Sequence, residues 1–318
     1  MLRCVALDDY QNVAAKFGDW SKLKGQVELR SVTEFIAGRE ALVAALADAD
    51  IIIAMRERTS FDRALLERLP KLKLLITTGM KNASIDLKAA ADCGIPVCGT
   101  ESSAGATAEL TWGLIFALMR KIPLEAGNFR NGIWQSTVGR EVSGRHLGVI
   151  GLGKLGSRVA RAGLAFGMKV SAWSQNLTAE RCKEVGVEYA GSLDALLQAS
   201  DVATIHLVLS DRTRGLLKAR ELGLMKRDAL LINTSRGPIV DEAALLTALK
   251  EKRIAGAGID VFDKEPLPAN HPLRGLDNIV ATPHIGYVTE EAYRLFYGQS
   301  VEDITAWLAG KPVRVLSA

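Results

Sequence analysis

Residues 146–160 read HLGVIGLGKLGSRVA, and no other stretch restricts the fold so tightly. An apolar run, a turn with glycines at 151, 153 and 156, and a helix-like KLGSRVARAGLAF follow one another without a break. In the G-x-G-x-x-G pattern the first glycine makes a tight turn and the second lets backbone approach a pyrophosphate. The third allows close helix–sheet packing, and the helix N-terminus faces the phosphates. This context predicts a parallel α/β sheet with dinucleotide binding at Gly151, Gly153 and Gly156. The motif begins almost midway along 318 residues, so a second domain must be accounted for.

The first hundred residues supply it. CVAL (4–7), VELR (27–30), DIIIA (50–54), LKLLIT (72–77) and IPVCG (95–99) read as strands. ALVAALADA (41–49), FDRALLERL (61–69) and IDLKAAADCG (85–94) read as the helices between them, a parallel α/β pattern. A long helix over 106–122 is expected to end at Pro123, followed by an irregular connection over 127–145. After the glycine motif, KVSAW, DVATIHLV, ALLINT, IAGAGID and NIVAT continue a second strand series. The helix over 289–310 has no further strand of that series to join and can return to the first domain, followed by PVRVL. The expected boundaries are 1–103 and 285–318 for one domain and 104–284 for the other.

Composition narrows the function classes. The chain is 48% hydrophobic and 24% charged, with a net charge of +4 scattered rather than gathered, which argues against a nucleic-acid binder. Its four cysteines show no CxxC pairing and no His at metal-ligand spacing, so no metal site is expected. MLRCVALDDY reaches acids before a signal-peptide core can form, and no apolar stretch is long enough for a bilayer. The expected setting is the cytoplasm.

The acid usually found about 20 residues after such a glycine turn, which binds the adenine ribose hydroxyls, is absent. KVSAW ends in Ser174-Gln175-Asn176. Without a carboxylate a 2′-phosphate is permissible, but no Arg sits in that turn to demand it. The ribose can also be held elsewhere, so the choice between NAD and NADP stays open.

Downstream, LLINTSRGPIVDEAAL (230–245), GAGIDVFDKEPLP (256–268) and VATPHIGYVT (280–289) place polar residues just after apolar strands. Carboxyl ends of parallel strands line the ligand crevice, and Arg236, Asp260 and His284 fall there, with Glu265 in the loop after Asp260. Taken singly, each also fits a structural role: Arg236 a turn residue, Asp260 a strand terminator, Glu265 a solvated turn, His284 a hydrogen-bonded core histidine. All of them beside a nucleotide-binding turn is a sharper coincidence.

Over essentially its whole length the chain resembles the D-isomer-specific 2-hydroxyacid dehydrogenases. The resemblance rests on GVIGLGKLGSRVA, LINTSRGPIVDE, GIDVFDKEPLP, HPLRGLDNIVATPHIG and ATAEL (106–110). It implies two doubly wound parallel-sheet domains, a Rossmann cofactor domain inserted into a flavodoxin-like substrate domain that closes over a cleft. It also implies hydride transfer between NAD(P) and the C2 of a small D-2-hydroxy acid or 2-oxo acid. His284 would be the general acid, and Glu265, hydrogen-bonded to its imidazole, would favour the protonated form. Arg236 would bind the substrate carboxylate and polarise the keto oxygen. Asp260 would accept from the nicotinamide carboxamide, and Lys154 and Leu155 would offer backbone N–H groups to the pyrophosphate. Thr107, Thr234 and Ser235 match positions that line the cofactor, with Ser174 in the place of the usual acid. The loop TTGMKN (77–82), with Gly79 and Met80, matches the one whose amides hold the carboxylate. A homodimer is implied, with Phe129 and Trp134 suited to its interface or equally to a core.

Departures from the family pattern are Ser174, Val208, Tyr287 and Met80, the last three altering pocket shape more than reaction type. MRERTSF (55–61) offers a substrate handle: Arg56 and Arg58 share a side if the strand continues, and Arg58 would meet a distal anionic group. A solvated loop with Glu57 as internal partner fits as well. With 318 residues, the extra domain of longer phosphoglycerate dehydrogenases is not expected here. A glyoxylate- or hydroxypyruvate-type reductase is the first expectation. The alternatives are a D-3-phosphoglycerate dehydrogenase-like enzyme and a non-catalytic NAD(H)-sensing corepressor-like protein.

Overall fold

Runs of Ile, Val and Leu become strands buried on both faces, as parallel sheets require. The computed structural model describes residues 1–103 and 105–317. They belong to two units, Met1–Ser103 with Val288–Ala318, and Ala104–Tyr287.

The first unit contains β1 (Leu2–Ala6), β2 (Val27–Ser31), β3 (Ile51–Ala54), β4 (Leu74–Thr77) and β5 (Val97–Gly99). All pair in parallel in the order β2-β1-β3-β4-β5, the flavodoxin-like arrangement. Short helices α1 (Ala14–Phe17), α2 (Arg39–Leu46), α3 (Arg63–Leu66) and α4 (Leu87–Asp92) connect them. Val5, Ile52, Leu75 and Val97 from the sheet pack with Leu46, Leu65 and Ala90 from the helices.

The second unit begins with α5 (Gly105–Met119) and α6 (Ile122–Arg130). Its strands are β6 (His146–Ile150), β7 (Lys169–Trp173), β8 (Glu188–Tyr189), β9 (Val202–Ile205), β10 (Leu230–Asn233), β11 (Gly256–Ile259) and β12 (Ile279–Ala281). The order β12-β11-β10-β9-β6-β7-β8, again all parallel, reverses between β6 and β9. That reversal is the topological switch point where α/β sheets bind ligands. Helices α7 (Lys154–Ala165), α8 (Ala179–Val185), α9 (Leu193–Ala199), α10 (Ala219–Leu224) and α11 (Glu242–Lys250) complete the layers. One core joins α5 and α7 to the sheet through Trp112, Ile115, Val149 and Val159. The other joins α9 and α11 through Leu196, Ile205, Leu245 and Leu249. The last helix, α12 (Glu290–Leu308), packs against α1 of the first unit.

Three expectations need correction. The helix expected over 106–122 stops at Met119, because Lys121 takes a left-handed φ of 55°, and Pro123 sits in the first turn of α6 rather than ending a helix. The second unit ends after Tyr287 rather than His284, since the backbone N–H groups of Ile285 and Gly286 donate to Asp260 of that same unit. Arg56 and Arg58 do not share a strand face. β3 ends at Ala54 and Arg56 is left-handed, with φ 53°, so the chain turns between them. Among the described residues, no helix is long and apolar enough to cross a membrane.

Candidate functional site

The glycine turn follows β6 at the switch point. Gly151 has φ +101°, and a Cβ there would meet the His206 carbonyl oxygen at 2.6 Å. A Cβ on Gly156 would fall 1.9 Å from the Gly151 oxygen, so α7 lies against the turn only because that residue is glycine. Gly153 differs: a Cβ there meets nothing within 4 Å. Gly153 caps α7 without a side-chain acceptor, and the Lys154 and Leu155 N–H groups have no partner among the described residues. Nearby, the buried His206 Nδ1 also lacks a partner, and burial pushes this imidazole down to about 4, keeping it neutral at physiological pH. Open space, unpaired donors and an orphaned ring nitrogen suit the pyrophosphate of a dinucleotide. The sequence reading passed over His206, although a polar residue ending the apolar run DVATI was its signal.

At the end of β10, Asn233 shapes the next turn: its Nδ2 donates to the Arg236 oxygen at 3.0 Å and its Oδ1 accepts from the Ser235 N–H at 3.1 Å. Ser235 Oγ donates to the Ile205 oxygen at 2.8 Å, tying this turn to β9. Arg236 Nη1 donates to the Ser235 oxygen at 2.7 Å, which orients the guanidinium. Gly237 is forced, because a Cβ would lie 2.1 Å from the Phe262 carbonyl carbon. Thr234 and Thr111 hydroxyls meet at 2.9 Å, Thr111 donates to the Thr107 oxygen at 2.8 Å, and Thr107 Oγ1 donates to the Gly286 oxygen at 2.9 Å. α5 is thereby linked to the loops after β10 and β12.

Asp260 directly follows β11 and is 1% exposed. Its Oδ1 accepts from Thr282 Oγ1 at 2.6 Å and the Ile285 N–H at 2.8 Å, and its Oδ2 from the Gly286 N–H at 2.8 Å. Burial raises its carboxyl above the ordinary range against the lowering effect of these bonds and of His284. The bracket holds the 282–286 turn, in which His284 itself has φ 53°. His284 Nδ1 lies 2.5 Å from Glu265 Oε2, while Glu265 Oε1 accepts from the Phe262 N–H at 2.9 Å. Burial raises the Glu265 carboxyl, but the hydrogen bond and charge of His284, the Phe262 N–H and the Arg236 charge together hold it below the usual range. A carboxylate on Nδ1 fixes the imidazole with Nε2 as the outward proton carrier. The Tyr287 ring stands edge-on to it, centroids 5.7 Å apart.

The first unit holds the remaining candidates. Gly79 has φ +125°, and a Cβ there would meet Arg56 Nη1 at 2.2 Å. Arg56 Nη1 donates to the Thr78 oxygen at 3.0 Å, its N–H donates to Thr78 Oγ1 at 2.9 Å, and Nε stands 3.8 Å from Glu57. The Gly79 N–H donates to Thr100 Oγ1 at 3.1 Å, so among the described residues the unpaired amides of this loop are those of Met80, Lys81 and Asn82. Arg58 lies over the Tyr10 ring, 4.5 Å from its centroid.

The family model "D-isomer specific 2-hydroxyacid dehydrogenase, NAD binding domain" matches residues 112–286. A glyoxylate reductase of Aeropyrum pernix is 40% identical over 86% of this chain and 84% of its own length. A D-3-phosphoglycerate dehydrogenase of Methanocaldococcus jannaschii is 36% identical over 86% of this chain, which spans only 52% of that relative. The crystal structure of an oxidoreductase from Ralstonia solanacearum, 39% identical, matches with a TM-score of 0.95 over 100% of this chain and 97% of that one.

Proposed function

Because the chain belongs to the D-isomer-specific 2-hydroxyacid dehydrogenase family, NAD-dependent oxidoreductases acting on CH–OH donors, we propose that it reduces a small 2-oxo acid of the glyoxylate or hydroxypyruvate type. The observation that carries this reading is the His284–Glu265 pair, 2.5 Å apart in the same unit as the open glycine turn. A bound nicotinamide supplies the hydride.

His284 Nε2 gives its proton to the substrate carbonyl oxygen, and the negative Glu265 stabilises the imidazolium before transfer. Reprotonation from solvent restores the pair. Arg236, oriented by its bond to the Ser235 oxygen, binds the substrate carboxylate with its planar fork and polarises the keto oxygen. Asp260 holds the turn that presents His284 and keeps one Oδ2 acceptor direction for the nicotinamide carboxamide. Lys154 and Leu155 N–H groups hold the pyrophosphate, with Gly151, Gly153 and Gly156 clearing its path, and Thr107, Thr234 and Ser235 line the nicotinamide end. In the first unit, the Met80 and Lys81 amides hold a carboxylate, with Gly79 shaping the loop.

Ser174, in place of an acid, admits NADP as well as NAD. Arg58 is the residue for a distal anionic group: Arg58→Ala is expected to raise KM for phosphohydroxypyruvate while sparing glyoxylate. Equal effects on both substrates would remove it from the site. Phe129, Trp134 and Val138, at 70%, 76% and 94% exposure, suit an interface with a second copy, which light scattering would register as a dimer. The free cysteines Cys4, Cys93, Cys98 and Cys182 suit the reducing cytoplasm.

The test is initial rates with NADH and NADPH against glyoxylate, hydroxypyruvate, phosphohydroxypyruvate and longer 2-oxo acids. Turnover of a short 2-oxo acid is expected. Preference for the phosphorylated substrate would favour the phosphoglycerate dehydrogenase-like reading. Nucleotide binding without turnover on any of them would favour the sensor.

A further inference from the structure

The turn after β7 is where the chain lacks its ribose-binding acid, and the fold brings an arginine there from another loop. In the amide orientation that satisfies both its groups, Asn176 accepts from Arg212 Nη2 at 3.2 Å and donates to the Gln175 oxygen at 3.3 Å. Gln175 Nε2 in turn reaches the Arg212 oxygen at 3.5 Å. Arg212 belongs to the loop after β9. In the sheet, β9 and β7 are the two neighbours of β6, so these loops flank the glycine turn on either side.

The loop that carries Arg212 is internally fixed. Thr213 Oγ1 donates to the Val208 oxygen at 2.7 Å and accepts from the Ser210 N–H at 2.8 Å. The N–H groups of Thr213 and Arg214 both close on the Ser210 oxygen, at 3.0 and 2.9 Å. Such a turn presents residue 212 in one place instead of letting it sweep the surface.

Charge completes the picture. Other arginines of this unit are already paired with acids: Arg181 with Glu184, and Arg220 with Asp194 and Glu221. Among the described residues, no carboxylate lies within ion-pair distance of Arg212, whose one side-chain partner is the neutral Asn176 amide. A guanidinium held by a neutral acceptor keeps its remaining donors and its full charge for an anion. Ser174, partly exposed just after β7, adds a neutral hydroxyl donor where a carboxylate would repel a phosphate.

We infer that Arg212, steadied by Asn176 and accompanied by Ser174, binds the 2′-phosphate of NADP(H) and makes this enzyme prefer it to NAD(H). The inference rests on the reading of the Gly151–Gly156 turn as a dinucleotide site. It adds the determinant of cofactor choice, contributed by the loop after β9 and not by the β7 turn alone.

Equilibrium binding tests it without turnover. Dissociation constants for NADPH, NADH, 2′,5′-ADP and 5′-AMP are measured by calorimetry on the wild type, Arg212→Ala and Ser174→Asp, with thermal melts to establish folding. The wild type is expected to bind NADPH more tightly than NADH, and 2′,5′-ADP more tightly than 5′-AMP. Arg212→Ala should weaken the two phosphorylated ligands about 10- to 100-fold, the scale of a lost charge-assisted contact, and leave NADH and 5′-AMP within about twofold. Ser174→Asp, whose carboxylate would pair with Arg212, should lose NADPH and retain NADH. Equal wild-type affinity for NADH and NADPH, or equal weakening of both by Arg212→Ala, overturns this inference and leaves the dinucleotide site standing. Failure of the folded wild type to bind either dinucleotide overturns both.

Discussion

The two units share a parallel α/β design, yet their first strand-to-helix turns are opposites. After β6, the turn is built from glycines, leaves the Lys154 and Leu155 N–H groups unpaired among the described residues, and has open space at Gly153. After β1, the same topological position is filled by the chain's own acids. Asp9 accepts from the Val13 and Ala14 N–H groups at 2.9 and 3.0 Å, capping the start of α1, and from Ser31 Oγ at 2.7 Å. Asp8, at φ 58°, accepts from Thr59 at 2.8 Å and Tyr10 at 3.2 Å, and its burial raises its carboxyl. One turn supplies its own anion and the other awaits one. Architecture sets where a site can be, and the residues at the strand ends decide whether it is one.

Each prediction presses on that contrast. Short of removing His284 itself, the largest effect is expected at the bracket beneath it. Asp260→Asn turns one carboxylate oxygen into a donor facing the Gly286 N–H, shifting the 282–286 turn. Displacement of the proton donor by about an ångström is expected to lower kcat about 100-fold, with nucleotide affinity changing far less. Steady-state kinetics beside a binding titration would register the split. Loss of affinity with kcat intact would assign Asp260 to the cofactor alone.

In the self-filled turn, Asp9→Ala strands two N–H groups and a hydroxyl that are now paired with a buried carboxylate. Chemical denaturation should show a loss of about 2 kcal/mol, with the nucleotide dissociation constant unchanged. In the open turn the consequences reverse. Gly153→Ala adds a methyl that meets no protein atom within 4 Å, so the melting temperature is expected to hold while NADH binding weakens about tenfold. A drop in stability without loss of binding would show that the glycine serves packing.

The smallest effect concerns pH. Glu265 is held below the ordinary carboxylate range, so its folded-state pKa lies below the unfolded one. Its contribution to stability is therefore complete above the unfolded value and is lost as pH falls through the lowered one. Denaturation midpoints from pH 6 down to about 3 should fall less steeply in Glu265→Gln than in the wild type. Parallel curves would mean that the pair adds nothing to the fold.

Much of this was legible in the sequence because the signals are local. Apolar runs of four or five residues bounded by turn residues marked nearly every strand, and the glycine spacing located the switch point. The two-residue β8, at Glu188–Tyr189, was too short and too polar to announce itself. The break at Lys121 and the turn at Arg56 depend on left-handed conformations in residues that rarely take them, so neither carries a sequence signal. Glu265 and His284 stand out in the sequence only singly; their pairing, which joins the loops after β11 and β12, was expected from the family resemblance and not from spacing. The bond from the Gly79 amide to Thr100 and the reach of Arg212 to Asn176 likewise join loops distant in the chain. Spacing arguments see faces of one element, and these contacts are made between elements.

The most direct test of the central claim separates binding from proton transfer in one protein. Glyoxylate or hydroxypyruvate reduction by the wild type and His284→Ala is followed beside a titration of each with NADPH and NADH. Unchanged nucleotide affinity and a kcat lowered about 1000-fold are expected in the variant, the scale of a lost general acid. Turnover within a few-fold of the wild type would contradict it and leave the His284–Glu265 pair as a structural contact.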